Sequence, residues 1–286
     1  MVAALLLLYG TAAGQAPNLS ISADLNPQLR VRPDGVTLIQ MYDDSGNFSR
    51  LRLGLILPNG WRVRVFQKLG RIRNDADKSG LDEAFIERAG DWRVGKQYLP
   101  FGSGRLLKES VLGARVNTFL ALADLPISVV VVENGPGRQR GVVARVGDTV
   151  GISVASGKHF GINATAFTQL RPPEESPGTG RGYRLAYAVD IRRATGGWGA
   201  EVEYIRLRNG HTALDPDEDI LDVLISYQFP FGPLVEAEST LTLESGGTNL
   251  RFSSSIPVSK RVFLVPTVRY FEDRGWVYSL SAFIRL

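Results

Sequence analysis

Apolar and polar residues alternate along this chain in blocks, mostly nine to eleven residues long, each closed by a turn cluster. Arg50–Leu57 reads RLRLGLIL and, after PNG, Trp61–Leu69 reads WRVRVFQKL. The pattern returns at Tyr183–Arg192, Gly199–Arg208, Ile220–Phe229, Leu234–Leu243, Asn249–Val258, Arg261–Phe271 and Trp276–Leu286. A period of two belongs to strands, whose successive side chains point to opposite faces. Blocks this long exceed the strand of about 5–6 residues usual in soluble proteins and suit a tilted strand crossing a bilayer. No long helical period competes, so the chain reads as all-β.

In a soluble β-protein the apolar face of each strand turns inward; in a transmembrane barrel it meets lipid, and the polar face lines a wet lumen. Alternation alone fits both. Three features favour the membrane. Trp61, Trp92, Trp198 and Trp276 fall at or just before strand starts, where an interfacial girdle sits. The chain ends on an alternating strand with Trp276, Tyr278, Leu280, Ala282, Ile284 and Leu286 on one face. Connections also alternate in length, as barrel turns and loops do. PNG, ERAGD, ATGG, PFGP and Ser259-Lys260 are short, and the segments GRIRNDADKSG, GSGRLLKESVLGAR, NGHTALDPDED, ESGG and EDRG fall between them. This parity requires Gly157–Gly182 to be one external excursion. The expectation is a transmembrane antiparallel β-barrel of about sixteen strands, counted from near Val36. Counting Leu19–Val31 and Ile162–Leu170 as crossings gives eighteen.

The opening MVAALLLLYGTAAGQA has a short apolar core and small residues ending at Ala16, the pattern of a cleaved export signal. Residues 1–16 are therefore expected to be a signal peptide and 17–286 the barrel. Beyond them no apolar run reaches the 18 or so residues of a membrane-crossing helix. There are no cysteines and only two histidines, His159 and His211, with no GxSxG elbow beside either. A hydrolase is thus the weakest of the readings, and the chain is expected not to be an enzyme. The acidic DPDED run, Asp215–Asp219, lacks the spacing of an EF-hand, so neither metal nor cofactor is expected. The net charge of +4 does not imply nucleic acid, because 29 acidic residues nearly balance 33 basic ones and the arginines are strung along strands. GDWRVGKQ, Gly90–Gln97, is not a phosphate loop: Gln97 stands where the magnesium-binding hydroxyl belongs.

Channel chemistry resides in lumen charge and constriction. Arg50, Arg52, Arg62, Arg64 and Lys68 share one face of two successive strands and form a basic wall, which Arg93 extends. Asp190, Glu201, Glu203, Asp222, Glu236 and Glu238 come from the other half of the chain, a separation that sets up a transverse field.

At EAFIERAGDWRVGKQYLPFG, Glu83–Gly102, followed by SGRLLKES, the sequence resembles the phosphate-selective porin O and P family. Val94, Gly95, Pro100, Phe101 and Gly102 match its pattern of a VG strand leading through PFG into a loop that folds into the pore. Weaker likeness runs through NGPG, VVARVG and AEVEYIRL. The resemblance implies a homotrimeric porin in the outer-membrane lipid, passing small hydrophilic solutes and favouring anions such as phosphate. It places Arg105, Lys108 and Arg115 at the constriction. The competing expectation is a structural outer-membrane or exported β-protein without transport activity.

Overall fold

A computed structural model describes residues 18–31, 35, 37–41, 49–57, 60–70, 79–88, 90–107, 109–120, 124–135, 138–160, 182–210, 217–244, 246–272 and 275–286. They form eighteen strand segments: β1 (Asn18–Leu25), β2 (Gln28–Val31), β3 (Thr37–Gln40), β4 (Arg50–Ile56), β5 (Trp61–Lys68), β6 (Leu81–Arg88), β7 (Trp92–Tyr98), β8 (Ser110–Leu120), β9 (Leu125–Asn134), β10 (Arg140–Val146), β11 (Val150–Phe160), β12 (Tyr183–Thr195), β13 (Trp198–Gly210), β14 (Glu218–Gln228), β15 (Leu234–Thr242), β16 (Thr248–Ser259), β17 (Val262–Phe271) and β18 (Gly275–Arg285).

These segments make sixteen staves of one closed antiparallel barrel. β1 and β2 lie along β18 in a single register, with Asp24 opposite Arg285 and Gln28 opposite Ser281, so they are one stave interrupted at Asn26-Pro27. β3 pairs with β2 and β4 with β1 on the other side. Between them Ser49 N–H donates to the Met41 carbonyl at 2.8 Å, which rejoins the two halves of the second stave. Sixteen is the expected number, but its membership differs. Leu19–Val31 is a crossing, and the segments near Val36 and Arg50 are halves of one stave rather than two. Ile162–Leu170 lies outside the described residues. Every stave pairs with its successors in sequence, and β18 closes on the first, which leaves no open edge in the bilayer.

The connections sort by rim. The facing strand ends of β4 and β5, β6 and β7, β8 and β9, β10 and β11, β12 and β13, β14 and β15, and β16 and β17 share one rim, here the turn rim. Those of β5 and β6, β7 and β8, β11 and β12, and β13 and β14 share the other, the loop rim. Trp61 and Trp92 meet edge-on at 4.7 Å at the turn rim, where Trp198 also sits against Tyr227. Trp276 packs on Tyr270 at the loop rim.

Burial is inverted relative to a soluble protein. Asp190, Glu203 and Asp222 are buried, while Val94, Val116, Val189, Ile191 and Leu280 on the opposite faces of their strands stand exposed. Such an exterior is compatible with acyl chains and not with water. Val189, at the centre of β12 and 44% exposed, gives a direct test. Val189→Arg is expected to lower barrel stability in lipid vesicles by about 2–4 kcal/mol, the cost of an arginine at the bilayer midplane. Chemical unfolding followed by tryptophan fluorescence measures it, and a neutral result would contradict a lipid-facing β12.

Candidate functional site

The bore is shaped by the loop between β7 and β8. Pro100 has no N–H to continue a ladder, so β7 ends there. Leu99 N–H donates to the Glu109 carbonyl at 3.0 Å and closes the loop's neck. The segment beyond turns inward. Leu99, Phe101, Leu106 and Leu107 are buried against Val130, Val132, Val143, Ala186, Ile205, Leu207 and Ile220 on the inner faces of β9, β10 and β12–β14. Burying one large apolar side chain in this way contributes about 1.5–3 kcal/mol. The loop-rim half of that inner wall is therefore dry, and the loop is fixed to it.

Polar contacts latch the loop tip. Gly102 N–H donates to Ser153 Oγ at 3.0 Å, and Arg145 Nη1 donates to the Gly102 carbonyl at 2.6 Å while pairing with Asp190. Ser103 N–H donates to Glu203 Oε1 at 3.1 Å, and the Ser103 hydroxyl donates to Oε2. Arg105 Nη2 pairs with Glu238 and lies 3.3 Å from Asp222 Oδ2, and its Nε lies 3.7 Å from Glu201 Oε1.

The two glycines of the VG…PFG pattern have distinct physical reasons. Gly95 has φ +132°, and a Cβ there would strike the Ala84 carbonyl and the Phe85 backbone of the neighbouring strand. Gly102 has φ +54°, and a Cβ there would run into the Glu203 carboxylate. Both positions therefore exclude side chains.

The cations expected to line the bore occupy one wall. Arg50 Nη1 lies 3.3 Å from Asp82, Arg52 pairs with Asp24, and Arg64 lies 3.6 Å from Glu87. Arg93 pairs with Glu87 at 2.8 Å and stacks over the Phe85 ring, 3.9 Å from its centroid. Lys68 stands opposite Arg50 in the ladder and is buried. Arg62 stands opposite Glu87 in register and makes no ion pair among the described residues. Arg115 is a β8 residue rather than part of the loop, directly opposite Arg93. It is held by neutral groups, donating to Asn117 Oδ1 at 2.8 Å and Ser128 Oγ at 2.9 Å.

Arg105 is not on this wall: it reaches the acidic side. Lys108 lies outside the described residues. The carboxylates face the basic wall across the bore. Asp190, Glu203 and Asp222 stand abreast on β12, β13 and β14. β5 is the third stave and β13 the eleventh of sixteen, half the ring apart. By starting between β7 and β8 and reaching Glu238 on β15, the loop runs from the basic side of the barrel to the acidic side.

The docking surface and latch escaped the sequence reading. A signal for them exists in Val129–Val132, apolar at four successive positions. Val129 and Val131 face lipid, and Val130 and Val132 are buried beneath the loop. An inner position that is apolar marks where something covers the wall.

No protein-family model and no curated protein sequence matches the chain. Solved structures do. OmpT, an outer membrane protein of Vibrio cholerae, superposes with a TM-score of 0.63 at 10% identity, covering 95% of this chain and 100% of that one. The outer membrane channel DcaP of Acinetobacter baumannii gives 0.61 at 10%, covering 97% and 99%. An anion-selective porin from Comamonas acidovorans gives 0.60 at 10%, covering 94% and 99%. Likeness at such identities is one of architecture. With its closed ring of sixteen staves, its lipid-compatible exterior and this match, the chain has the fold of outer-membrane porins and its place is the cell outer membrane.

Proposed function

We propose that this barrel is a porin for passive diffusion of small hydrophilic solutes, favouring anions such as phosphate, as in the phosphate-selective O and P type it resembles. The reading further takes residues 1–16 as an export signal and the assembly as a homotrimer, the form in which OmpT of Vibrio cholerae has also been solved. The observation that carries it is the state of the basic wall. Arg62 has no ion pair among the described residues, and Arg115 is held by neutral acceptors. Guanidinium groups oriented by neutral partners keep their charge available to a passing anion, and a row of weak holds lets it move on.

Single-channel recording in planar bilayers tests this. At about 0.1 M salt, where the Debye length is about 10 Å, the reversal potential under a salt gradient is expected to be anion-biased. Replacing Arg62 and Arg64 together by Ala is expected to lower the anion-to-cation permeability ratio roughly twofold or more. An unmoved reversal potential would refute the role given to these arginines. Silence from a folded, heat-modifiable barrel would support the non-transporting alternative instead.

A further inference from the structure

The outer wall of β13–β15 carries an apolar groove near the turn rim. Trp198 packs on Tyr227 at 4.7 Å, and Tyr227 meets Phe229 edge-on at 4.8 Å. Ile225, Ser226, Val235 and Ala237 complete the lining. Ala200, Ile225 and Ala237 stand abreast on the three strands, so the floor is low where two of the three side chains are methyl groups. The groove faces the bilayer, where water does not fill a depression, and its lining is suited to a hydrocarbon chain.

A cation stands on the same row. Arg193 of β12 lies opposite Ala200 and shares the outward face with Val189 and Ile191. It makes no ion pair or hydrogen bond among the described residues. Two positions from the end of β12, it sits about 7 Å inside the rim, a depth from which an arginine snorkels to lipid phosphate. Two strand spacings, about 10 Å, separate it from Ile225, within the span of one lipid's headgroup and upper chain.

We propose that the groove and Arg193 form a site for one phospholipid of net negative charge. Its acyl chain lies over Ala237 between Trp198 and Phe229, and its phosphate rests on Arg193. A second copy of this chain is the competing occupant, and charge argues against it. The outward-facing carboxylates of the described strands, Glu133 and Asp219, stand at the opposite rim and are already paired with Arg140 and with Arg206 and Arg208.

The test uses the full barrel in phosphatidylcholine vesicles containing a minor fraction of lipid brominated on its acyl chains. The Trp198 contribution to fluorescence is taken as the difference from Trp198→Phe. Brominated phosphatidylglycerol is expected to compete for the groove about fivefold better than brominated phosphatidylcholine, the preference one interfacial cation confers. Arg193→Gln should abolish that preference, and Ala237→Leu, which fills the floor, should weaken quenching by both lipids. Heat-modifiable mobility confirms that each variant is folded. Equal quenching by the two lipids, or a preference that survives in Arg193→Gln, overturns the site. Absence of quenching by either lipid would place protein over the groove and overturn it equally.

Discussion

Phe101→Ala is expected to free the folded-in loop and raise single-channel conductance severalfold, with flicker between narrow and wide levels. Phe101 is 1% exposed at the loop tip, and its ring fills the wall of Val130, Ala188 and their neighbours. Truncating a buried Phe to Ala costs about 3–5 kcal/mol. Each 1.4 kcal/mol is about tenfold in population, so the docked state loses about two to three and a half decades of its advantage. The barrel itself should survive, because its closure rests on ladders from β1 to β18 that the loop does not join. Bilayer recordings beside heat-modifiable mobility separate the two effects. Val94→Ala, at a lipid-facing position of the preceding strand, is the control expected to leave conductance unchanged. A folded Phe101→Ala barrel with ordinary conductance would mean that the docked loop does not limit the pore.

What could be seen in the sequence follows from which interactions are periodic. Membrane strands are forced to alternate, so Leu51, Leu53 and Leu55 against Arg50 and Arg52 announce their faces, and loop parity orders the rims. The first two staves were harder to read because their identity lies in pairing. Asp24 finds Arg285, and no local pattern states that Asn26-Pro27 interrupts one strand rather than separating two. In the second stave β3 and β4 read as two strands until Ser49 is seen bonded to Met41. At the site, Arg93 could be placed by its strand's alternation. Arg105 could not, because a loop residue has no period to fix its direction. Its carboxylates are more than ninety positions away along the chain, on strands that only closure brings near.

That displacement of Arg105 makes it the more consequential of the predicted cations. Its guanidinium serves Glu201, Asp222 and Glu238 at once, and the side chains of Asp222 and Glu238 are 1% and 2% exposed. Arg251 also pairs with Glu238, but Asp222 has Arg105 as its ion partner among the described residues. Arg105→Ala leaves the buried Asp222 without an ion partner, a loss of about 3–5 kcal/mol when one partner of a buried pair is removed. Two results are expected. The loop tip loses its hold on β14 and β15, so conductance becomes noisy. The acidic wall faces the passage unneutralised, so the reversal potential moves toward cations, further than with Arg62→Ala and Arg64→Ala. Arg105→Lys should recover only part of this, because a single ammonium does not reproduce the planar fork that reaches three acids. Adding Asp222→Asn and Glu238→Gln to Arg105→Ala separates the causes. If the stranded charge is responsible, the combined variant regains much of the lost anion preference, a non-additivity expected of groups sharing one network. If the lost loop contact alone is responsible, the combined variant stays as noisy and as cation-shifted as Arg105→Ala, and the guanidinium matters as a tether rather than as a counter-charge.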